Sequence, residues 1–187
     1  MLKVALIYGF AEGHSVSKRM RKELSAKGFT LSSDPKDADI IMAHSGGSFM
    51  LPAKHQARLV VLINPPMWLG RSPLRGLTPK VKQETKNSYW YRKSWFNFLY
   101  LFSRPASWAR MSKSIKRGIF HTGDARTVII RNRHDTFAHP EDVLACSSVS
   151  GWMVCSLDGS HDDLWEHPSP YVDLIKILSD EHGVALE

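Results

Sequence analysis

The stretch that decides the fold is ADIIMAHSGGSFM, residues 38–50, where a short apolar burst runs directly into a serine held between small residues. The burst "ADIIMA" reads as a buried strand, bounded by acids before it and turn residues after it. Ala43-His44-Ser45-Gly46-Gly47 then fits the pattern small-x-Ser-x-Gly. A nucleophilic serine on a tight strand-to-helix turn needs small residues two positions before and two after it, because the strained backbone leaves no room for larger ones. Ala43 and Gly47 meet that need. Two plainer readings compete: a glycine-rich turn with Ser45 as an N-cap, and a phosphate-cradling loop. The second lacks the lysine that follows the glycines in such loops.

Outward from this stretch, short apolar runs alternate with helical segments. KVALIY, residues 3–8, is a continuous apolar run, and "GFAEGH" supplies turn residues after it. Val16, Met20 and Leu24 follow at helical spacing, with Ser15 as a candidate N-cap, Lys27 near the C-terminus and Gly28 as a left-handed stop. "FTL" gives a second short strand, and "RLVVLINPP" a fourth, ended by two prolines that cannot continue a ladder. RTVIIRN at 126–132 and "GWMVCSL" at 151–157 complete about six strands. Between them "HPEDVL" signals a helix start, with Pro140 in its first turn and two acids behind it. Tyr171, Leu174, Ile175 and Leu178 share one face of a last helix. The expectation is a three-layer α/β domain with a mostly parallel central sheet, helices covering both faces.

Residues 67–120 break the rhythm and read as a helical cap inserted between two halves of the core, 1–66 and 121–187. One helix carries Tyr91, Trp95, Phe98, Leu99 and Phe102 at helical spacing, and a second carries Trp108, Met111 and Ile115. The net charge of +7 is concentrated there: Trp68 to Phe120 holds twelve Lys or Arg and one acid, Glu84. An anionic substrate, a membrane surface at the periphery or a nucleic acid could each use that field. No recognised RNA- or DNA-binding motif accompanies the basic residues, which argues against nucleic acid. For the aromatic stripe, packing onto the core is the simpler reading, with part of it available to line an acyl pocket.

No window reaches the roughly 18 to 20 apolar residues that a transmembrane helix requires. "MLKVALIYGF" is too short for a signal-peptide core and reads as strand. Cys146 and Cys155 lie in no C-x-x-C pattern, so free thiols in a reducing cytoplasm are expected.

Two further residues join Ser45. Asp135 lies in "RNRHDTFAHPED", with four residues between it and the apolar run "TVII" of a strand, and His161 follows the next strand in "LDGSHDDLW". Loops at the carboxyl ends of parallel strands converge on one site. Ser, Asp and His therefore occur in the order that a strand-elbow hydrolase uses. Asp162 and Asp163 adjoin His161 but point differently from it, and Asp124 precedes its strand and belongs at the opposite end of the sheet. His134, Asp135, His139, His161, Asp162 and His167 show no metal-ligand spacing such as H-E-x-x-H, so no metal and no cofactor are expected. His44 sits on the strand beside the serine, where adjacent residues point to opposite faces, and is read as shaping the elbow.

Through "AHSGGS", "RNRHDTFAHPED" and "DGSHDDLWEHP" the chain resembles the alpha/beta-hydrolase superfamily, particularly its small single-domain serine hydrolases. The resemblance spans 1–66 and 121–187, and the core departs from the eight-stranded family pattern by lacking the usual N-terminal strands. It implies a nucleophile at Ser45, an acid at Asp135 and a general base at His161, acting on a small-molecule acyl substrate. Oxyanion donors would be the Gly46 N–H and that of Phe10 or Ala11, after the first strand. The competing functional class is a hydrolase-fold binding or scaffold protein whose basic cap engages an acidic partner with little turnover.

Overall fold

Val, Ile and Leu dominate the runs that form the sheet, because branched side chains pack well on a pleated surface covered on both sides. The computed structural model describes residues 1–9, 17–65, 120–135 and 138–181. Its strands are β1 (Lys3–Ile7), β2 (Thr30–Leu31), β3 (Ile40–His44), β4 (Leu59–Ile63), β5 (Arg126–Asn132) and β6 (Met153–Leu157). They form one sheet in the order β2-β1-β3-β4-β5-β6. Every neighbouring pair is parallel.

The α-helices are α1 (Ser17–Ala26), α2 (Pro140–Ser150), α3 (Asp163–Glu166) and α4 (Ser169–Glu181). Ile40 and Met42 face one side of the sheet, where they join Met20 and Leu24 of α1, Trp165 of α3 and Tyr171 and Ile175 of α4. Ile41 and Ala43 face the other side, with Leu51 and Val143 of α2. All five residues of β3 and of β4 are buried, so the centre of the sheet is sealed on both faces.

Helix ends follow the chemistry of their residues. Pro140 opens α2, where its missing N–H has no intrahelical partner to lose. Gly151 closes it in the left-handed region at φ 72°, its N–H donating to the Ser147 carbonyl at 2.8 Å. The last strand consequently begins at Met153 rather than at Gly151, as the apolar run suggests. Gly28 likewise ends α1 at φ 82°. Cys146 and Cys155 are both free thiols.

The strand order reverses beside β1, since the chain steps from β1 to β2 on one side and then returns to β3 on the other. Such a switch point leaves a crevice outside the carboxyl ends of the two strands. Among the described residues no helix is long and apolar enough to cross a membrane. The expected cap, with its aromatic and basic helices, lies outside the described residues apart from Phe120, as do Ser15 and Val16. Phe120 stacks on Phe49 with ring centroids 4.9 Å apart.

Candidate active site

Ser45 stands at the carboxyl end of β3, at the reversal of the strand order, and begins a 3-10 helix, Ser45–Met50. Its φ of 50° is in the left-handed region, where a side chain crowds the backbone. His44, not Ser45, occupies the N-cap position of that helix, and its side chain makes no capping bond. The turn is tight enough to press on β1: a Cβ added to Gly47 would lie 2.6 Å from the Ile7 carbonyl oxygen and 2.7 Å from that of Tyr8. Those neighbours are backbone, so only glycine fits there.

His161 lies in the loop after β6, and its ring bridges two other loops. Nε2 is 3.0 Å from Ser45 Oγ, and Nδ1 is 2.7 Å from Asp135 Oδ2. Since a carboxylate can only accept, Nδ1 carries a proton and Nε2 of the neutral ring offers its lone pair to the serine hydroxyl. The Asp135 side chain is fully buried and the His161 side chain 16% exposed, so water reaches this chain mainly at the serine end. Asp135 is fixed in turn, its Oδ1 accepting the Ala138 N–H at 3.0 Å. The Arg131 guanidinium bonds the Ala138 carbonyl at 2.9 Å, which holds the far side of the same loop.

The carboxylates adjoining His161 are placed otherwise. Asp163 Oδ1 accepts the Ser160 hydroxyl at 3.1 Å, and Asp162 is the N-cap residue of α3. Asp124 precedes β5, at the opposite end of that strand from Asp135. Gly46 is buried directly after Ser45, whereas Phe10 and Ala11 lie outside the described residues. Among the described residues, Asp163, Glu166 and His167 bring donor atoms within 4.8 Å of one another. All three are partly or fully exposed, a common arrangement of acidic groups without an ion.

A layer beneath the imidazole was not legible in the sequence. His44 is buried, and its Nε2 lies 2.9 Å from the His161 carbonyl oxygen. Asn64 Nδ2 donates to that same oxygen at 3.1 Å, and Asn132 Nδ2 donates to the preceding carbonyl, of Ser160, at 2.5 Å. Asn64 Oδ1 accepts the Asn132 N–H at 2.8 Å, joining the ends of β4 and β5. Asn64 holds φ 48°, a conformation that asparagine tolerates better than most residues. A polar residue straight after a fully apolar strand was the available signal, but the two prolines behind it made "INPP" read only as a strand end.

Fold and site geometry together define the class: the chain has the alpha/beta-hydrolase fold. Among solved structures it is similar to a thermophilic esterase from Thermogutta terrifontis, at 14% identity and a TM-score of 0.59, covering 97% of this chain and 90% of that one. A carboxylesterase of Nitrososphaera gargenis matches at 12% identity and a TM-score of 0.60, over 96% of this chain and 90% of its own. The enol-lactonase from Burkholderia xenovorans LB400 matches at 14% identity and a TM-score of 0.54, over 93% and 89%. No protein-family model matches the sequence, and no curated protein matches it.

Proposed function

We propose that the protein is a serine hydrolase that cleaves a carboxylic ester or related acyl compound through an acyl-serine intermediate. The observation that carries this reading is the unbroken hydrogen-bonded series Ser45 Oγ, His161 Nε2, His161 Nδ1, Asp135 Oδ2, at 3.0 and 2.7 Å, beginning on a serine with positive φ. The esterases and lactonase of the same fold support it.

In this reading Ser45 Oγ attacks the acyl carbon as its proton passes to His161 Nε2. His161 then gives that proton to the departing alkoxide, and the alcohol leaves. Asp135 holds the Nδ1–H tautomer and stabilises the imidazolium while it lasts. Water, deprotonated by His161, attacks the acyl-serine in the second half; the bond to Ser45 Oγ breaks, His161 returns the proton to Oγ, and the acid is released. The Gly46 N–H, in the first turn of a 3-10 helix where N–H groups have no partner further back, is the candidate oxyanion donor beside the serine. Phe10 or Ala11 would supply the second.

A fluorophosphonate probe tests this directly. It should label the protein once, at Ser45, and Ser45→Ala should abolish labelling and turnover of p-nitrophenyl acetate. Undiminished labelling of Ser45→Ala would sink the assignment.

A further inference from the structure

We infer that His44 and Asn64 are positioning residues that set the angle of the His161 imidazole by holding its main-chain carbonyl. The inference rests on the reading of Ser45, His161 and Asp135 as nucleophile, base and acid. His161 sits on a loop, and a loop backbone has no ladder to fix its orientation. Here the missing ladder is replaced by side chains from three strand ends. The His161 oxygen accepts from His44 Nε2 at 2.9 Å and from Asn64 Nδ2 at 3.1 Å, which occupies both of its lone pairs. The Ser160 oxygen is held by Asn132 Nδ2 at 2.5 Å. Two consecutive carbonyls are thereby gripped from below, and the imidazole above them is left facing Ser45 and Asp135.

The grip is built from buried groups. Asn64 and Asn132 are wholly buried and His44 is 1% exposed. Burying three polar side chains without bonding them is unfavourable, so their placement on these carbonyls is a strong local constraint. His44 is itself wedged, its ring 4.9 Å from that of His161 and edge-on to Trp165 at 5.4 Å. A carbonyl oxygen cannot donate, so His44 must carry its proton on Nε2. That requirement names the variant that should work: the amide nitrogen of glutamine can stand where Nε2 stands, whereas a phenylalanine ring fills the space and donates nothing.

The test compares His44→Phe, His44→Gln and Asn64→Asp with the parent protein. Asn64→Asp keeps the oxygen that accepts the Asn132 N–H and removes the donor to His161, so it serves if His44→Phe does not fold. In folded protein, His44→Phe and Asn64→Asp should lower kcat on p-nitrophenyl acetate and the rate of fluorophosphonate labelling by roughly 10- to 100-fold, as a displaced catalytic group does. KM should stay within about twofold, and His44→Gln should restore most of the rate. Proton NMR gives a second readout that needs no turnover. The low-field resonance of the His161 Nδ1–H bonded to Asp135 should be present in the parent and in His44→Gln, and broadened or lost in the other two. An unlabelled parent would remove the hydrolase reading, and the resonance would still decide the positioning role. Labelling and resonance unchanged in His44→Phe and Asn64→Asp, or equal losses in His44→Gln and His44→Phe, would overturn it.

Discussion

At the scale of single residues, the site rests on a conformational conflict at Ser45. A side chain at φ 50° is less favourable than one in the helical or extended region by about 1 to 2 kcal/mol, and only a glycine escapes that cost. The folded protein tolerates the strain because β3 is buried at every position and the turn after it is pressed against the carbonyls of Ile7 and Tyr8. Strain and hydroxyl can be separated by comparing two variants that both lack Oγ. Ser45→Gly should be more stable than Ser45→Ala by about 1 kcal/mol, measured as the difference in urea unfolding free energy. Equal midpoints would mean that the turn relaxes and that no strain is stored there.

At the scale of elements, the core and the site tolerate different things. Gly151 closes α2 at φ 72° with open space around it, so an added methyl meets no atom but must adopt a disfavoured backbone. Gly151→Ala should therefore destabilise the protein by about 1 kcal/mol in thermal or urea unfolding, with the labelling rate of Ser45 unchanged. A changed labelling rate would show that the end of α2 communicates with the Asp135 loop at its start. The elements themselves were largely legible in the sequence. Apolar runs gave the strands, and β5 fell on RTVIIRN without adjustment because charge and turn residues bound it at both ends. Ser45, Asp135 and His161 could be picked out as candidates from the sequence, since each follows an apolar run that the structure shows as a strand, and the structure brings the three within hydrogen-bond reach. The carbonyl grip was not legible: which side chain meets which main-chain oxygen depends on the register between β3, β4 and β5, and no local pattern encodes that. The reading of His44 by strand alternation had the same limit, because alternation gives a face and says nothing of a loop folded over the strand end from β6.

At the scale of the whole molecule, burial of titratable groups fixes how stability should change with alkali. The Tyr171 hydroxyl is buried on the inner face of α4, and among the described residues the Asn132 amide is the polar group beside it. Burial pushes its phenol well above the ordinary value near 10; the hydrogen bond with Asn132 works against that shift, and the charges of Asp163 and Asp135 add to it. The Cys146 and Cys155 thiols are also raised, chiefly by burial. A raised acid keeps its proton in the folded state after the unfolded chain has released its own, so the unfolded state binds fewer protons and stability falls as pH rises. The thiols begin this decline above about pH 8.5, and Tyr171 steepens it above about pH 10. Tyr171→Phe isolates the larger share. At neutral pH it should lie within about 1 kcal/mol of the parent, because the deleted hydroxyl removes a neighbour of the buried Asn132 amide and relieves its own burial. Above about pH 10 the variant should become progressively more stable than the parent in urea unfolding. Parallel declines for the two proteins through that range would mean that Tyr171 titrates alike in the folded and unfolded chains, and that the interior beneath His161 is open to water.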